Sequence, residues 1–291
     1  MNENELSALI QLLDDPDKEV YSHVHTQLHS IGPEIIPKLE TAWEQSFDPL
    51  MHHRIENLIH EIQFNTLKGE LVSWARNNSD NLLLGAYLIS RYQYPDNNLQ
   101  KMVSAIDKIK RQVWLEMHYD LTPLEQVNVF NHVMYSILGF QGNTSNIHDP
   151  QNAYLNCLLE SKKGNPVSLG ILYLAVAQLL DMPVYGVIVP QHFVLVYLKK
   201  HLTSDMEVDE KRKLMQFYIN PFNKGMIFSK EDITLYLRKL NLDPKQEYFI
   251  PSGNVQIISY LIDSLIHSYE TSGLKEKVRE LAELKKAITG F

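Results

Sequence analysis

The sequence predicts an α+β protein that is mostly helical. Three observations carry that reading. Apolar residues recur at helical spacing through residues 5–95. Residues 169–180 read LGILYLAVAQLL, apolar on nearly every face, and such a helix has to be buried on every face. Two β-rich runs, 184–189 and 193–198, follow it at once, and a third lies at 216–219.

In chain order, Leu6, Leu9, Ile10 and Leu13 share one helical face. Asp14-Asp15-Pro16-Asp17 stops that helix and starts the next, with Asp15 or Asp17 able to cap. Val20, Val24 and Leu28 line the second helix, which ends at Gly32-Pro33, and Ile35, Ile36, Leu39 and Trp43 line a third. Residues 49–94 are helical, and Tyr94-Pro95-Asp96-Asn97-Asn98 is a turn-rich boundary. A long helix with Met102, Ile106, Ile109 and Val113 follows. Thr122-Pro123-Leu124-Glu125 spells a capping box with proline at the first helical position, opening a helix with Val127, Phe130, Val133, Met134 and Ile137 inward. Residues 153–159 form a short helix around Cys157. Ser168 is the expected N-cap of the buried helix. Residues 201–212 are a charged, solvated excursion between strands. Ser229 starts a helix running to Leu240, and 255–269 and 274–288 form a helical pair across Ser272-Gly273. Three regions are expected: 1–95, 96–250 and 251–291.

Composition narrows the function classes. No stretch among the 291 residues approaches the roughly 18 apolar residues of a membrane span. The first ten residues read as no signal peptide, and a single cysteine fits a reducing, cytoplasmic setting. A net charge of −8 argues against nucleic acid or an anionic membrane as the main partner. Lys275, Lys277, Arg279, Lys285 and Lys286, interleaved with Glu276, Glu280 and Glu283, read as a solvated helix face. His25 and His29, and His52, His53 and His60, lack the HExxH arrangement and paired cysteines of a zinc site, so no metal is expected. Without GxGxxG, a P-loop or a GxSxG elbow, no cofactor is expected either.

Two resemblances add to this. The segments LLDDPDKEV and SIGPEIIPKL resemble the punctuation of a HEAT repeat, which implies a short helical stack presenting a surface to a partner protein. The segments YSILGFQGN, NAYLNCLLESKKGNPVSLGILYLAVAQLLDMPVYGVIVPQHFVLV and YINPFNKG occur in the order seen in the SirB-type branch of the transglutaminase-like superfamily. That resemblance runs from about residue 101 to the C-terminus and implies a papain/transglutaminase-like core, a buried helix against a small antiparallel sheet. The closing pair of helices resembles a tetratricopeptide-type hairpin.

In catalytic members of the superfamily the helix start supplies Cys, one strand supplies His and the next supplies Asp. Carried over motif by motif, those positions here hold Ser168, His192 and Asn220, and the branch commonly shows Ser and Asn there. A cysteine beside histidine ionises because its thiol pKa, about 8.5, can be pulled below neutral. Serine instead has to surrender its proton during attack. Asparagine behind the histidine steadies no imidazolium, and in a serine triad the Asp-to-Asn change costs about 10⁴ in turnover. The reading that follows is a non-catalytic transglutaminase-like protein that binds an unidentified protein partner. Its rival is a hydrolase or acyltransferase using Ser168, His192 and Asn220, with an oxyanion hole at the helix start. A third reading keeps the cleft as a ligand pocket without turnover. The bland alternatives are a capping Ser168, a His192 bonded to Asn220, and a turn at Asn220-Pro221.

Overall fold

The computed structural model describes residues 3–203 and 205–290. The chain divides into two compact units, the first ending at Val72 and the second beginning at Ser73.

In the first unit, α1 (Glu3–Gln11) ends in a 3₁₀ turn, and α2 (Lys18–Ile31) starts where the Asp17 carboxylate accepts the Glu19 N–H. Gly32, at φ 80°, ends α2, and a second 3₁₀ turn leads to α3 (Ile36–Gln45). The helix α4 (Pro49–Asn77) then runs on past Val72. The periodic apolar residues close into one core of Ile10, Leu13, Val24, Leu28, Ile35, Leu39, Ile55 and Leu58. Arg54 donates to the backbone carbonyls of Leu13 and Asp15, satisfying groups that the end of a helix leaves unpaired. His25 lies 3.3 Å from Glu61, and His52 stacks on Trp43. No group of three or more potential metal ligands comes together among the described residues.

The second unit is built around α9 (Pro166–Leu179). After α5 (Leu82–Gln93) and α6 (Leu99–Glu116), the Thr122–Glu125 capping box forms and opens α7 (Pro123–Asn131). From His132 to Ile137 the helix widens to a π turn. The wider turn shifts the helical phase, so Tyr135 turns inward at 7% exposure and Ile137, expected inside, is 55% exposed. A two-residue strand, β1 (Gln141–Gly142), pairs in parallel with β2 (Lys163–Gly164), and between them lies α8 (Leu155–Ser161). Every residue of α9 from Val167 to Ala177 is buried, as an all-round apolar helix requires.

The sheet is antiparallel throughout, in the order β3 (Val184–Val189), β4 (His192–Leu198), β5 (Met215–Asn220) and β6 (Met226–Phe228). The excursion between β4 and β5 is not wholly irregular: it carries a short helix, α10 (Val208–Leu214), with its own capping box at Glu207 and Glu210. Beyond the sheet come α11 (Lys230–Lys239), opened by a Ser229–Asp232 capping box, and the pair α12 (Asn254–Thr271) and α13 (Lys275–Thr289). Two lysines of the basic stretch serve packing and are not merely solvated. Lys285 bonds the Asp263 carboxylate at 2.6 Å. Lys277 bonds Gln93 at 2.6 Å and lies over the rings of Tyr92 and Tyr269. No helix among the described residues is long and apolar enough to cross a membrane.

Candidate functional site

Side chains alternate between the two faces of a strand, so register decides what each residue meets. Val189 pairs with His192 across a two-residue turn, where Gln191 adopts φ 62°. Phe193 and Leu195 therefore share one face of the sheet, and His192, Val194 and Val196 share the other. The first face meets α9. A Cβ built on Gly170 would run into the Phe193 ring and lie 3.5 Å from Pro221, so bare glycine backbone lets helix and sheet close together. On the second face Val187, Val194, Val196 and Tyr218 pack with Ile233 and Leu237 of α11.

Ser168 lies at the α9 end of this arrangement and is only 1% exposed. It is not the N-cap. Asn165 fills that role, accepting the Ser168 N–H on its side-chain oxygen at 2.8 Å, while Ser168 Oγ accepts the Asn165 N–H at 3.1 Å. The pattern Asn165-Pro166-Val167-Ser168 is thus a capping box with proline at the first helical position, one turn earlier than expected. The Ser168 hydroxyl donates to the Asn152 carbonyl at 2.6 Å and fastens the start of α9 to the loop before α8. Gly164 backs onto the same hydroxyl: a Cβ there would stand 2.6 Å from it. The helix start also offers few free donors. Pro166 has no N–H, that of Ser168 goes to Asn165 Oδ1, and that of Leu169 goes to the Asn165 carbonyl.

His192 and Asn220 do come together, on the far face. Both line a cleft of about 390 Å³ with Val194, Met226, Phe228, Asp232 and Tyr236. The His192 ring sits 4.9 Å from that of Tyr236, and burial against this wall lowers its imidazole pKa while one edge stays exposed. No hydrogen bond joins His192 to Asn220 among the described residues. Asn220 Oδ1 instead accepts the N–H groups of Phe222 and Asn223, an Asx turn that closes the strand. Asp232 is committed to the Ser229 N–H at 2.8 Å, and that bond holds its carboxyl below the ordinary range. The expected trio is therefore a pair plus one: His192 and Asn220 share a cleft, and Ser168 lies at the buried helix behind the opposite face.

Cys157 lies outside this cleft, half-buried on α8, and burial pushes its thiol pKa up, away from the thiolate. The walls contributed by Tyr236, Met226 and Phe228 had no signal in the sequence, since they meet His192 only through sheet register and the packing of α11. Asn165 did have one, the Asn-Pro-x-Ser spelling of a capping box.

A buried helix against an antiparallel sheet, with serine in the first helical turn, histidine at a strand start and asparagine at a strand end, defines a transglutaminase-like plan. Residues 100–263 match the sequence profile of the Transglutaminase-like superfamily, and the chain belongs to that superfamily. It is similar to a UPF0162 protein of Xylella fastidiosa (strain Temecula1), 31% identical over 153 residues, which cover 52% of this chain and 50% of that protein. It is also similar to the UPF0162 protein YchA of Escherichia coli (strain K12), 30% identical over 183 residues, 60% of this chain and 61% of that protein. A shorter similarity, 29% over 99 residues, links it to the F-box only protein 21 of Homo sapiens, covering 34% of this chain and 15% of that protein. The chain spans about half the length of the first of these relatives. No solved structure matches it.

Proposed function

We propose that this chain is a transglutaminase-like protein of the SirB-type branch that performs no turnover and acts through contacts with a partner protein in a reducing, cytoplasmic setting. Its HEAT-like N-terminal helices and tetratricopeptide-like C-terminal pair are the recognition elements in this reading. One observation carries it: the Ser168 hydroxyl is buried and donates its hydrogen bond to the Asn152 carbonyl, while His192 faces the other side of the sheet. An amide carbonyl is no general base, and a nucleophile needs its base within about 2.6–3.2 Å.

The test is labelling with a fluorophosphonate probe, followed by peptide mapping, from mildly acidic to mildly alkaline pH. Ser168 is expected to stay unlabelled in folded protein. Labelling of Ser168 that disappears in His192→Ala would instead establish the serine hydrolase or acyltransferase. A second reading, a ligand pocket without turnover, has its own support in the cleft beside His192, Asn220 and Tyr236. Its test is a fragment screen read by the His192 imidazole resonances: binders that shift them and are lost in Tyr236→Ala support it.

A further inference from the structure

The acidic chain carries a basic cleft away from the triad positions. A groove of about 690 Å³ runs along α6 to the end of α8, and its walls include Lys101, Lys108 and Lys162 but no carboxylate. Lys101, Ser104, Lys108 and Gln112 recur every three to four residues, one face of α6, and all four line the groove. Ile109, Leu138 and Leu159 supply apolar surface between them. Asp107, on the same helix, is taken by Arg111 at 2.6 Å. Lys162 is held in place rather than left to sweep solvent. It ends α8 at φ 62°, its carbonyl accepts the Gln141 N–H, and its ammonium lies 4.3 Å from the centre of the Phe140 ring. Burial in that position lowers its pKa. Three lysines along one groove, with no carboxylate among its lining residues, favour an anionic occupant.

Two exposed apolar residues adjoin groove residues along the chain. Leu115, 70% exposed, continues the helix face three residues beyond Gln112, and Ile137, 55% exposed, precedes the groove residue Leu138. We infer that this groove docks an acidic, amphipathic segment of a partner protein, its carboxylates meeting Lys101, Lys108 and Lys162 and its apolar residues meeting Leu115, Leu138 and Leu159. The choice of a peptide over a compact organic phosphate rests on extent. Lys101 and Lys108 are seven residues apart, about 10 Å along the helix. Leu138 and Leu159 line the groove with the lysines, and Leu115 is exposed on the same face of α6, which suits a strand or helix of protein and not one phosphate group. The inference rests on the protein-binding reading above and names the chemistry of that partner.

The test uses the full chain and a fluorescein-labelled acidic peptide of about sixteen residues, Glu and Asp interleaved with Leu, in anisotropy titrations at low and high salt. Binding is expected, weakening as salt rises, with Lys101→Glu/Lys108→Glu reducing affinity by about tenfold or more. Lys162→Gln is expected to weaken it less. Lys199→Glu/Lys200→Glu, the same charge change at exposed lysines outside the groove, is expected to leave affinity unchanged, and far-ultraviolet circular dichroism and melting confirm that each variant folds. Three results overturn the inference: no binding by the peptide, equal loss in the two double variants, or full displacement of the peptide by equimolar ATP, which would mark a phosphate site. With Ser168 still unlabelled, any of these rejects the groove and leaves the non-catalytic reading standing.

Discussion

Ser168→Ala separates a structural serine from a catalytic one. The hydroxyl makes two short contacts, donating to the Asn152 carbonyl at 2.6 Å and accepting from the Asn165 N–H at 3.1 Å. Each such bond contributes about 1 kcal/mol net, and the cost grows when a buried partner is left unpaired. Here neither is stranded, because the Asn165 N–H also donates to the Asn152 carbonyl at 3.0 Å. The cap is likewise retained, since Asn165 Oδ1 reaches the backbone N–H of residue 168 whatever its side chain. The expected loss is therefore about 1–2 kcal/mol, or about 2–8 °C in melting temperature for a unit of this size. Urea denaturation followed by tryptophan fluorescence measures it, with an unchanged m-value showing that the same surface unfolds. The partner-dependent effect of the protein should survive intact. A folded Ser168→Ala protein that keeps its stability but loses an amide- or ester-cleaving activity of the parent would refute the reasoning.

Other substitutions probe the packing that positions the site. Asn165→Ala removes the cap and leaves the buried Ser168 N–H without its side-chain acceptor, so it should cost about 2–3 kcal/mol in the same denaturation assay, more than Ser168→Ala. Gly170→Ala drives a methyl into the Phe193 ring and should cost about 1–3 kcal/mol, with part of the loss recovered in Gly170→Ala/Phe193→Leu. The His192 imidazole is expected to titrate below 6.5, read by its ring resonances in nuclear magnetic resonance, and to move back toward that value in Tyr236→Ala. The sign follows from linkage: the unfolded chain takes up the proton at the higher pH, so this histidine's contribution to stability is lost as pH falls through the unfolded value toward the folded one.

Much of the fold was legible in the residues themselves because it is local. The buried α9 follows from an apolar run with no polar face, and α7 from a capping box with a following proline. The strand runs follow from β-branched and aromatic composition bounded by proline and asparagine. The π turn was not legible: apolar spacing fits the ordinary helical period to within a residue, and the extra residue that exchanges Tyr135 for Ile137 is fixed by packing against the rest of the second unit. The capping role of Asn165 was legible but misplaced by one turn, since serine and asparagine compete for the same function and only the bond lengths separate them.

What the sequence determined by itself is the inventory: a small polar residue opening a buried helix, a histidine beginning a strand, an asparagine ending one, and a chain too poor in cysteine for thiol chemistry at that helix. What the tertiary structure alone decided is which of these meet. Strand parity is a property of the paired sheet, and a shift of one residue carries a side chain to the opposite face. The pairing of Val189 with His192 turns the imidazole toward α11 and Tyr236, while Phe193 takes the place against α9. The same closure of helix on loop directs the serine hydroxyl's hydrogen bond to a backbone carbonyl. Order along the chain names the members of a site, but their distances are set by register and burial.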